Sequence, residues 1–259
     1  MTELAGLAAR LIDAAARRSP IEPLTTTTGP LAVADAYVVQ GLVVADRMRF
    51  HGSAATGAKL GLTSAAKQRQ MNVGEPIYGW LTADMALDIG QPLRCGEFIQ
   101  PRCEPEIAFV LGANLAGPHV TAADVLAATA CVCPAIDVLD SRFSGYAFTL
   151  PDVIADNASG AAYLLGGLRT GPDAADLRLT GVVLEKNGEL VATAAGAAAL
   201  GHPAAAVAWL VRALAVRHRS LRAGEVVLSG GLTEAVGVAP GDVVTARFDR
   251  LGTVELACR

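Results

Sequence analysis

The sequence has little charge and no clustered basic surface. Charged residues make up 18% of the 259 residues, and the formal net charge is −4. No basic stripe interleaved with aromatic residues is present, so a nucleic acid is not expected as a partner. Hydrophobic residues make up 52% of the chain, which excludes a disordered protein and predicts a compact fold with a large core.

Long hydrophobic runs are also missing. No run of about 18 residues, the length that a membrane-spanning helix needs, is free of polar, charged and turn residues. The first 18 residues contain Glu3, Asp13 and several arginines, and they lack the apolar core of a secretory signal. Their apolar residues recur at helical spacing and predict an amphipathic helix. The sequence therefore predicts a soluble, cytoplasmic protein without membrane partners.

Cysteine is sparse and irregularly spaced. An odd number of cysteines in a chain without a secretory signal argues against a disulfide framework. Cys131 and Cys133 form C-x-C, and no second Cys or His pair stands at zinc-finger spacing. We expect the thiols to be small buried hydrophobic groups. The five cysteines are Cys95, Cys103, Cys131, Cys133 and Cys258.

Several catalytic motifs are absent. The chain has neither a G-x-x-x-x-G-K-[ST] loop nor a strand–G-x-G-x-x-G–helix unit, so nucleotide cofactors have no support. It has no G-x-S-x-G or Cys–His arrangement, so hydrolysis through an acyl-enzyme is not indicated. Among the four histidines, His202 before Pro203 is the best placed for a functional role. Alternatively, His202 caps or packs the start of a helix.

The elements that are present indicate an α+β fold. Helical spacing of apolar residues recurs over 33–49, and helices are also predicted over 121–129 and 203–217. The Asn187-Gly188 pair predicts a hairpin. We expect an antiparallel or mixed sheet, with a helical region at 1–55 and the candidate site in a strand-rich domain at 56–259. Strands are predicted over 107–111, 132–139, 161–165, 181–185, 190–193, 225–228, 242–248 and 253–257.

Two glutamates stand two residues apart where an apolar strand begins. On an extended backbone, positions i and i+2 face the same side, so Glu104 and Glu106 can converge on one point. A divalent cation such as Mg²⁺ or Mn²⁺ prefers oxygen ligands and would cancel the repulsion between the two carboxylates. Alternatively, both side chains project into solvent at the frayed start of the strand. The spacing leaves both interpretations open.

A third acid and a lysine lie in apolar surroundings. Asp137 is embedded in an apolar run, where an ionised carboxylate needs a cation or several hydrogen-bond donors. We interpret Asp140 as structural, because Arg142 nearby offers an ion-pair partner. Lys59 lies in the glycine-flanked stretch 57–64, and a buried ammonium needs an anion. That anion is either a carboxylate of the protein or a substrate carboxylate and a developing enolate oxygen.

These residues lie in segments that resemble the hydratase/decarboxylase branch of the fumarylacetoacetate hydrolase family. The resemblance runs from about Asp35 to the C-terminus, and seven segments match in the right order. It implies a mixed β-roll or distorted barrel with an N-terminal helical region, in an enzyme of the meta-cleavage degradation of aromatic compounds. The matching segments are GAKLGLTS (57–64), PIYGWLT (76–82), PRCEPEIAFVLG (101–112), PAIDVLDSR (134–142), DVIADNAS (152–159), GAAALGHP (196–203) and LSGGLTEAVGVAPGD (228–242).

The resemblance also implies roles for single residues. Glu104, Glu106 and Asp137 match the family's ligands for Mg²⁺ or Mn²⁺, although the third ligand of the family is usually glutamate. Lys59 matches the family's strand lysine, a catalytic and substrate-binding residue. Leu62 and Ser159 match further substrate-binding positions. The family further implies a small 2-oxo acid substrate and a homo-oligomer, which associates in some pathways with a hydratase.

Within this branch, the sequence is more similar to decarboxylases than to hydratases. Hydratases carry Asp before the aromatic residue and Gly of the P-x-[YF]-G segment, whereas this chain has Ile77 before Tyr78. Hydration must activate water and protonate carbon, and therefore needs a further acid/base group. We thus expect decarboxylation of 2-oxohex-3-enedioate to 2-hydroxypenta-2,4-dienoate. The alternatives are hydration of 2-hydroxypenta-2,4-dienoate, a related lyase activity on another 2-oxo acid, and a non-catalytic structural partner.

Overall fold

The computed structural model of the chain describes residues 3–65, 68–69 and 73–259. Its helices are α1 (Glu3–Arg17), α2 (Leu24–Thr28), α3 (Val33–His51), α4 (Ala122–Ala128), α5 (Leu150–Ala155) and α6 (Pro203–Ala215). Its strands are β1 (Ala55–Gly61), β2 (Ile77–Thr82), β3 (Ala86–Leu87), β4 (Arg102–Leu111), β5 (Thr129–Leu139), β6 (Gly160–Leu165), β7 (Gly181–Lys186), β8 (Glu189–Ala195), β9 (Val226–Leu228), β10 (Val236–Gly237), β11 (Val243–Phe248) and β12 (Gly252–Ala257).

The strands form two sheets. The larger sheet has eight strands in the order β2-β1-β9-β4-β5-β6-β3, with β10 also paired to β4. It is mixed, because β1 pairs with β9 and β3 pairs with β6 in parallel, whereas the other pairs are antiparallel. The smaller sheet, β12-β11-β7-β8, is antiparallel throughout. The predicted α+β class with a mixed sheet is confirmed.

The predicted hairpin at Asn187-Gly188 joins β7 to β8. Both residues have positive φ, at 56° and 79°. Two positive φ angles are what a type I′ turn requires, and its twist matches that of the flanking strands. Asn187 also donates from its side-chain amide to Asp242 at 2.8 Å, which ties the turn to the start of β11. The prediction is confirmed.

The N-terminal helices cover one end of the large sheet. The apolar residues of α1, including Leu7 and Leu11, form a buried cluster with Val39 of α3 and Ile154 of α5. Helix α5 was not predicted from the sequence. It begins with a capping box between Thr149 and Asp152, and Asp152 also accepts hydrogen bonds from Thr25 of α2. These bonds hold α2 against α5.

Helix α6 is a long and strongly apolar helix. The segment Gly196–Ala215 has the length and hydropathy of a membrane span, although His202, Pro203 and Arg212 interrupt it. Its regular helix covers 13 residues, about 20 Å at 1.5 Å per residue, whereas a bilayer core is about 30 Å thick. Half of the segment is buried, and α6 packs against α4. This is the pattern of the core helix of a soluble protein.

Two local predictions are confirmed near α6 and in the core. His202 is the N-cap of α6, where its Nδ1 accepts a hydrogen bond from the backbone N–H of Ala204 at 3.0 Å. The cysteines are free thiols, and all except the half-buried Cys131 are buried. Burial raises the pKa of Cys133 to about 11, which keeps that thiol protonated and unreactive.

Candidate active site

Strands β4 and β5 bring the three predicted acids together. Their antiparallel register places Glu104 directly opposite Asp137, and Glu106 lies two residues further along β4 on the same face. One carboxylate oxygen of each residue lies within 4.8 Å of the others. None of the three side chains is exposed by more than 4%, so the alternative that the glutamates project into solvent is wrong. The arrangement is a buried cluster of three acids.

The cluster is electrostatically costly without a counter-ion. Burial, together with the charges of Asp137 and Glu104, raises the pKa of Glu106 well above its usual value. Its Oε2 accepts a hydrogen bond from the backbone N–H of Gly230 at 2.5 Å. Its Oε1 is buried and has no hydrogen-bond partner among the described residues. Three buried carboxylates with an oxygen left over form a donor set that fits a hard divalent cation.

Lys59 lies at the edge of this cluster. It is 1% exposed on β1, and its ammonium forms an ion pair with Oδ2 of Asp137. Nζ also donates a hydrogen bond to the carbonyl oxygen of Ala158 at 3.2 Å. The anion that the buried lysine requires is therefore a protein carboxylate. Because that carboxylate belongs to the acid cluster, the ion pair holds the ammonium beside the candidate metal position.

A strained turn supports Lys59 and Ser159. Asn157, Ala158 and Ser159 all have left-handed φ angles, of 52°, 52° and 55°. Such angles cost about 1–3 kcal/mol each in residues other than glycine and persist where the surroundings impose them. Here the Asn157 amide donates to the Trp80 carbonyl at 2.9 Å and accepts from the Trp80 N–H at 2.8 Å. The turn thereby presents the Ala158 carbonyl to Lys59.

The remaining predicted substrate-binding residues lie around this turn. The Ser159 hydroxyl is buried and has no hydrogen-bond partner among the described residues. Leu62 follows β1 with a φ of 55° and packs against the apolar cluster that contains Ile77 and Ala158. Ile77 is 3% exposed, so the position before Tyr78 presents a buried apolar side chain. Ser159 therefore directly follows the residue whose carbonyl oxygen binds Lys59, and Leu62 lies three residues after Lys59 in the chain.

Sequence reasoning missed the loop that follows β9. The Gly230 N–H binds Glu106, and an added Cβ at Gly231 would lie 2.1 Å from Oε2 of Glu104. Such a distance is far inside van der Waals contact, so the backbone of this loop touches both glutamates. The Gly-Gly pair between apolar runs is the signal that could have indicated a close backbone approach.

We predict that Gly231→Ala lowers affinity for Mg²⁺ at least about tenfold, as other changes beside a metal site do. The new methyl group must displace the Glu104 carboxylate from the cluster. Isothermal titration of the purified variant with Mg²⁺ measures the effect. Gly41→Ala is the matched control, because its added Cβ meets no atom within 4 Å. Unchanged Mg²⁺ affinity in Gly231→Ala would contradict the placement of the loop.

One predicted pairing is wrong. The ion-pair partner of Arg142 is Asp156, which also offers its backbone carbonyl to the guanidinium. Asp140 instead accepts hydrogen bonds from the backbone N–H groups of Ile99 and Gln100 at 2.7–3.1 Å. Asp156 lies 14 residues beyond Arg142, at the end of the unpredicted helix α5, so the nearest acid in sequence was the wrong choice.

Comparisons with known proteins agree with this geometry. The sequence profile of the fumarylacetoacetate (FAA) hydrolase C-terminal family matches residues 49–258. A 4-oxalocrotonate decarboxylase of Pseudomonas putida is 42% identical over 97% of this chain and 95% of its own length. A 2-keto-4-pentenoate hydratase of Paraburkholderia xenovorans is 40% identical over 91% of this chain and 87% of its own length.

A solved structure shares the whole fold. The 4-oxalocrotonate decarboxylase of Pseudomonas putida G7, in complex with magnesium and adipate, superimposes with a TM-score of 0.95 at 40% identity. The match covers 99% of this chain and 97% of that one. A second structure of the same enzyme holds calcium and acetate, with a TM-score of 0.93. The fold expected from the seven sequence segments is confirmed, and a divalent metal site is supported.

Proposed function

Because the chain belongs to the fumarylacetoacetate hydrolase family, we propose that it is a carbon–carbon lyase that converts 2-oxohex-3-enedioate (4-oxalocrotonate) to 2-hydroxypenta-2,4-dienoate and CO₂. The observation that carries the proposal is the buried cluster of three carboxylates with Lys59, in a fold shared throughout with a magnesium-binding decarboxylase. The natural setting would be the degradation of aromatic compounds by meta-cleavage.

Glu104, Glu106 and Asp137 would hold the metal, with Mg²⁺ or Mn²⁺ as the native ion. The all-oxygen donor set and the free Oε1 of Glu106 support this assignment. Asp137 is one methylene shorter than the usual third ligand of the family, and it forms an ion pair with Lys59. When bound, the metal would supply a Lewis acid that stabilises the oxygen of an enolate.

Lys59, Leu62 and Ser159 would contact the substrate. Decarboxylation breaks the C5–C6 bond, and its electron pair moves through the C3=C4 double bond to the C2 oxygen as CO₂ leaves. The Lys59 ammonium can donate a hydrogen bond to that oxygen as its negative charge develops. Asp137 and the Ala158 carbonyl hold the ammonium in place without a rearrangement. The Ser159 hydroxyl would be a further hydrogen-bond donor, since it has no hydrogen-bond partner among the described residues.

Ile77 favours decarboxylation over hydration. Hydration needs a group that activates water and one that protonates carbon. At the position before Tyr78, where hydratases of the branch carry an acid, Ile77 packs between Gly61 and the cluster that contains Ala158. The decarboxylation step needs an electron sink and an apolar wall that keeps water from the dienolate. Ile77, buried in one apolar cluster with Ala158, would supply part of such a wall.

The test is to incubate the purified protein with Mg²⁺ and 2-oxohex-3-enedioate, and to follow CO₂ release and the ultraviolet absorbance of the dienol. We expect both signals in a one-to-one ratio, no signal in the presence of a strong chelator, and no further hydration of the dienol. Hydration of supplied 2-hydroxypenta-2,4-dienoate to 4-hydroxy-2-oxopentanoate, without CO₂ release from the dicarboxylate, would instead identify a hydratase. The hydratase relative at 40% identity is the reason to include this arm. Absence of any turnover would favour a non-catalytic role.

We further propose that the protein works in the cytoplasm as a homo-oligomer and that it associates with a hydratase of the same pathway. The support is the family membership and the instability expected of a dienol product, which benefits from direct transfer. Size-exclusion chromatography with light scattering tests the oligomeric state, and co-purification with the pathway hydratase tests the association.

A further inference from the structure

Arg102 is a charged residue on β4, the strand that carries two of the candidate metal ligands. It is the first residue of β4, two positions before Glu104, so its side chain leaves the strand on the same face as Glu104 and Glu106. It is half-buried and lies opposite Leu139 of β5 and Gly237 of β10. It therefore lies at the end of the acid cluster where the strand begins.

The Arg102 guanidinium is held in place by an aromatic ring. Its central carbon lies 3.9 Å from the ring centroid of Tyr146, and the Tyr146 hydroxyl donates to the Gln100 carbonyl at 3.2 Å. A guanidinium stacked on a ring keeps its planar edge free for hydrogen bonds. Among the described residues, no carboxylate forms an ion pair with Arg102, whereas Lys59 pairs with Asp137 and Arg142 with Asp156. Arg102 is thus a cation held in place by Tyr146, and it pairs with no carboxylate of the described residues.

The separation of Arg102 and Glu104 along β4 matches the distance between the two carboxylates of a six-carbon dicarboxylate. Two residues of a strand span about 7 Å. Five carbon–carbon bonds of about 1.5 Å in an extended chain span about 6 Å between the carboxyl carbons. A substrate with its 2-oxo acid end at Glu104, Glu106 and Lys59, running along β4 towards the first residue of the strand, would bring its second carboxylate near Arg102. The decarboxylase relative binds adipate, a dicarboxylate of the same length.

We propose that Arg102, positioned by Tyr146, binds the distal carboxylate of the substrate and makes the site selective for dicarboxylates over monocarboxylates. The inference rests on the proposed function and names a specificity residue for it. Because this carboxylate leaves as CO₂, Arg102 contributes to the binding of the substrate and not to the binding of the product. The product, a monocarboxylate, then dissociates more readily than the substrate.

Two inert ligands that differ in one carboxylate test the proposal. 2-Oxoadipate and 2-oxohexanoate share the 2-oxo acid end and lack the C3=C4 double bond, so neither is decarboxylated. In the presence of Mg²⁺, we expect the wild-type protein to bind 2-oxoadipate at least about tenfold more tightly. Arg102→Met should abolish this preference while leaving the affinity for 2-oxohexanoate and for Mg²⁺ unchanged. With the substrate, the variant should show a raised KM and a kcat that falls by no more than about threefold, since the carboxylate loses charge as CO₂ forms and its contact with Arg102 is no stronger in the transition state than in the bound substrate.

Further variants separate charge from packing. Arg102→Lys should keep part of the preference, and Tyr146→Leu should weaken it without removing a charge. Arg250→Met is the matched control, because Arg250 is 70% exposed in the turn between β11 and β12. The inference is overturned if Arg102→Met retains the preference, or if both ligands lose affinity equally. If the wild-type protein binds both ligands but Arg102→Met keeps the preference, the proposed function stands without this inference. Failure of the wild-type protein to bind either ligand would overturn both.

Discussion

Glu106→Gln is expected to abolish metal-dependent turnover and, at the same time, to raise the melting temperature of the metal-free protein. Glutamine keeps the shape of the side chain and the hydrogen bond from Gly230, but it removes one of three charges that would bind the metal. Loss of a direct ligand should cost more than the 10–100-fold typical of residues behind the ligands, so we expect Mg²⁺ affinity to fall at least about a hundredfold.

The gain in stability follows from the repulsion within the cluster. Glu104, Glu106 and Asp137 are three like charges buried close together, and Lys59 forms an ion pair with Asp137. Since folding raises the pKa of Glu106, the folded protein binds a proton more tightly than the unfolded chain does. The contribution of Glu106 to the stability of the metal-free protein is therefore fully present below the unfolded value of about 4.3 and is lost as the pH rises through the raised pKa of the folded state. In Glu106→Gln this loss of stability with rising pH is absent, because glutamine does not ionise.

Thermal melts of chelator-treated protein between pH 5 and 8 measure this effect, with and without Mg²⁺. The difference in melting temperature between Glu106→Gln and wild type should widen as the pH rises, and the increase caused by Mg²⁺ should be present in wild type alone. Glu97→Gln is the control, because Glu97 is 59% exposed and lies outside the cluster. A variant that still gains stability from Mg²⁺ and still turns over would show that Glu106 is not a ligand.

The sequence allowed part of this site to be predicted on physical grounds. Glu104 and Glu106 share a face because side chains alternate along a strand. This rule depends only on neighbouring residues, so the spacing of the two glutamates was sufficient for the prediction. The position of Asp137 opposite Glu104 depends on the register of two strands whose paired residues are 33 positions apart, and it came from the family resemblance. Strand β2 was missed because it is buried along its whole length and lacks the alternation of a half-buried strand.

The contacts that were missed depend on tertiary structure. The Gly230–Gly231 loop reaches the glutamates because β9 pairs with β4 on one side and with β1 on the other. The left-handed turn at Asn157 is imposed by two hydrogen bonds to Trp80, which lies 77 residues away. No local pattern specifies either contact. For Arg142, choosing the acid nearest in sequence as the ion-pair partner gave the wrong residue.

The second large effect is expected from Lys59→Met, which should reduce kcat at least about a hundredfold without weakening the binding of Mg²⁺. Loss of one donor to a developing oxyanion typically costs 10²–10³-fold in kcat. Asp137 would lose its ion pair with Lys59 and keep its negative charge for the metal ion. Metal affinity should therefore be equal to that of wild type or higher, and the loss should appear in kcat.

The stability of this variant separates the two roles that Lys59 can have. Methionine removes the Lys59 ammonium from the buried carboxylate of Asp137, and breaking a buried ion pair typically costs about 3–5 kcal/mol, so the metal-free variant should melt well below wild type. Mg²⁺ should restore most of that loss, since a divalent cation replaces the missing charge. Lys186→Met, which removes the more exposed ion pair with Asp242, is the control and should change neither kcat nor the response to Mg²⁺. If Mg²⁺ restores both stability and turnover in Lys59→Met, the lysine serves only as the partner of Asp137. If Mg²⁺ restores stability while turnover stays low, the ammonium acts on the substrate.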